Sequence, residues 1–192
     1  MNFHSISYLD ITSYSWVVFV AYWIYAGLKT KKTIRRENTM TRTVYLILMI
    51  LAFELMYAHI FSIGLLSKRW TADTTFIDMA GVIINLIGVA FAITARRWIG
   101  TNWSGTVTVK KDHELITTGP YAMTRHPIYT GMLFGLIGAA LILGEMRGLI
   151  SVILFFVAIQ MKMFTEEKFM QENFKEYADY KRKTKKLIPL IY

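Results

Sequence analysis

The stretch Ile128–Phe164, IYTGMLFGLIGAALILGEMRGLISVILFFVAIQMKMF, holds two apolar runs separated by one short polar break. Ile128–Gly144 and Gly148–Phe164 each approach the length a helix needs to cross the hydrocarbon core of a bilayer. Only Glu145-Met146-Arg147 lies between them. Such spacing predicts a helical hairpin that folds back on itself within a membrane.

Working outward toward the N-terminus, three further apolar runs occupy residues 14–28, 43–66 and 76–95, the first with room to start a few residues earlier. The expected fold is all-α: one polytopic membrane domain over 1–192 with about five transmembrane helices, spans 4 and 5 forming the hairpin. Composition agrees. A hydrophobic fraction of 54%, a charged fraction of 18% and a mean hydropathy of +0.37 suit a chain whose apolar side chains face lipid as well as core. Zero cysteines exclude disulfides, Cys-ligated zinc and a cysteine nucleophile. The opening MNFHSISYLDITSYSW has neither a basic n-region nor a small-residue cleavage site, so the first span is expected to stay as an anchor.

The net charge of +9 is unevenly spread. Lys29–Arg42, Arg96–Arg125 and Lys162–Lys186 hold 19 of the 22 Lys and Arg residues, leaving Lys68, Arg69 and Arg147. Five alternating spans put those three segments on one side, which the positive-inside rule makes cytoplasmic, with the N-terminus outside and the C-terminus inside. Topology and anionic membrane lipid therefore account for the charge better than nucleic acid does. Glu54 and His59 interrupt the second run. Ionisable groups at that depth face a cavity or a partner, and for Glu54 protonation, or a hydrogen bond to Asn85 or a tyrosine, is the alternative.

The chemistry concentrates in the connector 100–127 and the tail 165–192. Trp98 and Trp103 flank Gly100-Thr101-Asn102 as an interfacial anchor. Gly105–Lys110 alternates β-branched residues and predicts a short extended segment. Gly119-Pro120 marks a turn, and Pro127 opens a helix whose free amides offer a site for a carboxylate or phosphate. Alone, Arg125 would snorkel to headgroups and His126 would cap a helix. Alone, Glu166-Glu167 would be a solvated helix face. The hairpin, however, returns the glutamates to the side of Arg125 and His126, where opposite charges stabilise one another and an acidic group can receive a ligand amine. Glu172–Tyr192 reads as an amphipathic helix with Phe174, Tyr177 and Tyr180 turned toward membrane or core. No metal site is expected.

These residues resemble the isoprenylcysteine carboxyl methyltransferase family, part of a wider set of membrane methyltransferases that includes phospholipid N-methyltransferases. The matching pieces are Asn102-Trp103-Ser104, His113-Glu114-Leu115-Ile116, Gly119-Pro120-Tyr121, Arg125-His126-Pro127-Ile128-Tyr129, Glu166-Glu167 and Tyr177-Ala178-Asp179-Tyr180, with a terminal Leu-Ile-Pro. They cover about half the chain. The resemblance implies S-adenosyl-L-methionine as cofactor, entering from the cytosol and leaving as S-adenosyl-L-homocysteine, and a lipophilic or prenylated acceptor arriving through the bilayer. It further implies that His113, Glu114, Leu115 and Ile116 line an adenosine pocket. Gly119, Tyr121, His126, Pro127, Ile128 and Tyr129 would surround the methionine part, and Glu166 with Glu167 would hold its amino group, Glu166 foremost. Arg125 would position the acceptor or balance charge at the reacting centre. Lys162 stands where relatives often place an arginine for the acceptor carboxylate, and a point charge replaces a planar fork there.

A carboxylate acceptor is already ionised at neutral pH, whereas an amine must first lose a proton and a thiol reacts as thiolate. No isolated, obvious base stands beyond His126, Tyr129 and the glutamates, which favours a carboxylate or another easily ionised acceptor. An N-methyltransferase acting on phosphatidylethanolamine and a thiol S-methyltransferase remain as alternatives. A membrane reductase and a non-enzymatic membrane protein stand further off.

Overall fold

The computed structural model describes residues 7–28, 33–36, 39–103, 108–110, 114–189 and 191–192. Helix α1 (Tyr8–Gly27) starts at a capping box: Asp10 N donates to Ser7 Oγ at 3.2 Å and Ser7 N donates to Asp10 Oδ2 at 2.9 Å. Two donors left over at the helix start are thereby satisfied. Strand β1 (Thr33–Arg36) leads to α2 (Thr39–Tyr57), and α3 (Thr75–Ile99) follows after two 3₁₀ turns. Strand β2 (Thr108–Lys110) and the one-turn α4 (Pro120–Met123) lie in the connector before α5 (Pro127–Leu143). The 28-residue α6 (Met146–Asn173) and the short α7 (Tyr177–Lys183) complete the order.

Among the described residues α2, α6 and α3 with its 3₁₀ extension to Asn102 are long and apolar enough to cross a membrane, and α5 is a shorter apolar helix. The chain is an integral membrane protein of helical architecture. Outward-facing Val17, Ile24, Ile87 and Ile153 are well exposed, as side chains in contact with lipid tails are.

Close backbone contact organises the bundle. Helix α3 lies against α5 so tightly that a Cβ on Gly88 would sit 2.5 Å from Gly135 N, and one on Gly138 would sit 2.4 Å from Gly81 O. Small residues allow this approach, and in lipid such packing drives helix association. Asn85 bridges the seam: its Nδ2 donates to Gly135 O at 2.8 Å, and its Oδ1 accepts from Ser15 Oγ at 2.6 Å, drawing in α1. On the other side α2 packs against α6, and Phe155, Ile159 and Met163 join Trp16, Met56 and Leu136 in one core.

Several expectations need correction. The run 43–66 is not one helix: α2 stops at Tyr57, because the buried Arg147 guanidinium at the head of α6 takes the carbonyls of Leu55 (3.1 Å), Met56 (3.4 Å) and Ala58 (3.1 Å). Glu145 holds that arginine through Nε at 2.6 Å. His59 consequently sits in a 3₁₀ turn rather than within a span. Glu54 does not meet Asn85; it faces outward beside Ile47, Ile50 and Phe61. The tail is not a continuous helix over 172–192, since α6 runs on to Asn173, α7 is brief, and residues 184–187 are bends around an isolated bridge from Lys185 to Thr124.

The helical expectation also acquires a two-stranded ribbon. Strands β1 and β2 pair antiparallel, Thr33 opposite Lys110 and Arg36 opposite Thr108. The alternation of 105–110 anticipated β2; residues 105–107 lie outside the described residues. The ribbon joins the α1–α2 and α3–α4 connectors, and Arg125 meets the 181–184 segment nearby. All three basic segments therefore reach the same end of the bundle.

Candidate active site

At that end a cleft with a cavity volume of about 140 Å³, open to solvent at its mouth, lies between the end of α3, the 114–116 connector, α4, the start of α5, the exit of α6 and α7.

The connector is aimed by Gly119, whose φ of +60° favours glycine and whose missing side chain leaves room for the Trp98 indole. A Cβ there would meet Trp98 at 2.3 Å, and Trp98 Nε1 also donates to Thr118 Oγ1 at 3.1 Å. Glu114, Leu115 and Ile116 are thus held along the cleft wall. Tyr121, from α4, accepts through its carbonyl from the Tyr180 hydroxyl at 2.7 Å, which closes α7 over the cleft. Burial pushes the Tyr121, Tyr177 and Tyr180 phenols well above the ordinary range, so all three are neutral donors.

Glu166 lies on the cleft floor. Tyr129 donates its hydroxyl to Glu166 Oε1 at 2.6 Å, and His126 Nδ1 lies 3.4 Å from Oε2. Glu167, the next residue, turns aside. Its Oε1 accepts from Arg125 Nε at 2.8 Å, its Oε2 lies 3.2 Å from Lys181 Nζ, and His126 Nε2 stands 3.4 Å from Oε1 without hydrogen-bond geometry. Burial disfavours the charged imidazole of His126, but the two carboxylates outweigh it and raise its pKa above the ordinary value. Burial likewise opposes ionisation of Glu167, yet His126 and Arg125 hold its carboxyl below the usual carboxylate range. The cluster is a compact arrangement of two carboxylates, an imidazole and a guanidinium.

Of the residues expected to form the site, Glu114, Leu115, Ile116, Tyr121, Arg125, His126, Ile128, Tyr129 and Glu166 line the cleft. His113 lies outside the described residues, as does Ser104 of the Asn102-Trp103-Ser104 piece. Pro127 is fully buried under the start of α5, and Gly119 shapes the wall from behind. Lys162 is buried one turn before Glu166, its ammonium 5.3 Å from the Tyr45 ring centre and 5.7 Å from that of Tyr129.

The free amides expected at the start of α5 are partly consumed. Arg125 N donates to Lys185 O at 2.9 Å and His126 N to Lys186 O at 3.2 Å, while Pro127 has no N–H. The tail, not an anion, occupies them. Arg125 Nη1 also donates to Lys181 O at 3.2 Å and Thr184 O at 2.5 Å, so its guanidinium fastens α7 and the tail.

The cleft also holds residues the sequence did not single out for it: Ile99, Asn102, Trp103, Phe169, Met170, Tyr177 and Tyr180. Trp103 is a cleft wall rather than an interfacial anchor, whereas Trp98 is half exposed. Helical spacing was the available signal, since Phe169 and Met170 follow Glu166 by three and four residues, and Tyr177 and Tyr180 share one face of α7.

Residues 76–177 match the phospholipid methyltransferase family. The nickel-cobalt-cadmium resistance protein NccN of Alcaligenes xylosoxydans xylosoxydans is 31% identical over 134 residues, 67% of this chain and 59% of that protein. The protein-S-isoprenylcysteine O-methyltransferase of Saccharomyces cerevisiae is 34% identical over 140 residues, 69% of this chain and 54% of that protein. A solved eukaryotic intramembrane Ras methyltransferase, isoprenylcysteine carboxyl methyltransferase, shares the fold with a TM-score of 0.56 at 22% identity, over 81% of this chain and 54% of that one. The chain thus spans little more than half the length of these relatives.

Proposed function

The chain belongs to the phospholipid methyltransferase family, and from that premise we propose that it is an S-adenosylmethionine-dependent membrane methyltransferase with a lipophilic acceptor. The observation that carries the reading is the Glu166 carboxylate, ionised and oriented by Tyr129 and His126 on the floor of a cleft walled mainly by apolar and aromatic side chains.

The residues present fit the cofactor. Glu166 is a negative partner for an amino-acid ammonium, and charge-assisted hydrogen bonds are the strong ones. Trp103, Ile116 and Ile128 give apolar walls suited to a purine, and the Glu114–Ile116 backbone, outside helix and strand, offers polar groups along one edge. When bound, S-adenosylmethionine supplies an electrophilic methyl group on a sulfonium. The protein's task is then positioning and water exclusion, which can supply several kcal/mol of a barrier, on the order of 7–11 kcal/mol in the best-oriented cases. Arg125 and Glu167 serve by fixing α7, whose Tyr177 and Tyr180 cover the cleft.

For the acceptor, an isoprenylcysteine-like carboxylate is the reading we adopt. It needs no general base, and Lys162 lies buried beside Tyr129 as a source of positive potential for it. Five spans with a cytoplasmic cofactor face and an outside N-terminus agree with three basic segments gathered at one end.

The test uses purified protein and methyl-labelled S-adenosylmethionine, offered in parallel a prenylcysteine analogue, phosphatidylethanolamine and a small thiol. Label on the prenylcysteine released as methanol by mild base supports the proposal. Base-stable label in the phospholipid or thiol reassigns the acceptor. Absence of cofactor binding by calorimetry removes the methyltransferase reading.

A further inference from the structure

Arg96 is a basic residue buried close to the proposed cofactor cleft yet not on its surface. Its side chain is 1% exposed. Nη2 donates to Ala26 O at 2.9 Å, one of the last carbonyls of α1, where a cation complements the negative end of the helix dipole. Nη1 donates to Gly100 O at 2.8 Å, fixing the turn that follows α3. The guanidinium carbon lies 4.3 Å from the Trp103 ring centre, within the range of a cation–π contact. Trp23 meets the same indole edge-on at 5.4 Å and 86°.

The sequence order gives this node its consequence. Ile99, Asn102 and Trp103, all just beyond Arg96, line the cleft. Two carbonyl hydrogen bonds and a face contact by one planar group fix both the path of that turn and the plane of the indole. We propose that Arg96 is a positioning residue for cofactor binding, holding Trp103 as the flat wall against which the purine of S-adenosylmethionine stacks. The inference rests on the methyltransferase reading. Lysine cannot replace the function, because a point charge cannot donate to both carbonyls and lie flat on the ring at once.

The experiment is a double-mutant cycle in detergent-solubilised full-length protein, reading the Kd for S-adenosylmethionine by calorimetry and the near-ultraviolet circular dichroism of the tryptophans. The variants are Arg96→Lys, Trp103→Leu and their combination. Arg96→Lys keeps a cation in place and guards against a folding failure that Arg96→Gln would risk. The expected result is a Kd raised about tenfold in each single variant, a double variant no weaker than the weaker single one, and an altered tryptophan signal in Arg96→Lys. A residue with a purely structural role would lower thermal stability and leave the Kd of the folded protein unchanged. Wild-type binding with an unaltered Kd in Arg96→Lys, or losses that simply multiply in the double variant, overturns the proposal while leaving the methyltransferase reading in place. No binding by the wild type removes both.

Discussion

The phenol of Tyr129 donates to Oε1 of Glu166 across 2.6 Å, joining the first turn of α5 to the exit of α6. The other carboxylate oxygen faces His126. A carboxylate so held is preorganised for a cation, with neither oxygen left to wander. Tyr129→Phe keeps the ring and removes the hydrogen bond, and a bond to a charged acceptor is worth about 1.5–3 kcal/mol. S-adenosylmethionine affinity should therefore fall by at least about tenfold, and Glu166→Gln should cost more, since it also removes the charge. Calorimetric titration checks both. Equal affinity in Tyr129→Phe and wild type would take Tyr129 out of this role.

Arg125 and Glu167 make the complementary contact, which fastens rather than binds. The guanidinium spans Glu167, Lys181 O and Thr184 O, so it ties α6, α7 and the tail together. Breaking a buried pair by removing one partner costs about 3–5 kcal/mol. Arg125→Lys preserves charge but not the fork, and should speed hydrogen exchange in 177–187 while exchange in α3 stays slow. Arg125→Ala should be worse and should lose methyl transfer with the bundle still folded. Uniform exchange across the chain, or wild-type turnover in Arg125→Ala, would falsify the fastening role.

The pH dependence of stability has a definite sign at His126. Its folded pKa lies above the ordinary 6.5, so the stabilisation it contributes is complete below pH 6.5 and is lost as pH rises through the raised value. Glu167 behaves oppositely: its pKa lies below 4.5, so its contribution is complete above pH 4.5 and lost only in stronger acid. The melting-temperature gap between wild type and His126→Asn should be widest between pH 4.5 and 6.5 and should narrow as pH rises through the raised His126 value. A gap that widens on the alkaline side would mean that His126 is buried neutral.

The sequence made the helical membrane architecture readable because lipid and core both demand apolar side chains, which leaves long uninterrupted runs such as 76–95. It also singled out Arg125–Tyr129 and Glu166–Glu167, which the fold brings together, since charge is conspicuous in such a chain. What it hid were long-range partners. Nothing near Tyr57 announces that Arg147, 90 residues on, caps α2, and nothing in Lys185-Lys186 reveals that their carbonyls take the amides of Arg125 and His126. Trp103 looked like an anchor because an indole suits both an interface and a ligand wall. Backbone acceptors and aromatic surfaces carry no residue-specific pattern, so they surface only once the chain is folded.

The glycine seam between α3 and α5 yields the last prediction. Gly88 faces Gly131 and Gly135, and an added Cβ would stand 2.6 Å from Gly131 O and 2.5 Å from Gly135 N. Those atoms are backbone, so the clash cannot be relieved by turning a side chain. A Cβ added at Gly27 would meet nothing within 4 Å. Gly88→Ala should accordingly destabilise the protein by about 1–3 kcal/mol, the usual cost of overpacking, and Gly88→Val by more. Gly27→Ala should be close to neutral, because its Cβ has open space. The shift should reach the cleft, since α5 carries Tyr129 at one end of the same seam, and cofactor affinity should weaken along with melting temperature in detergent. An unshifted melting temperature in Gly88→Ala would show that the helices separate at little cost, and that close backbone packing is not what holds the site's two halves in register.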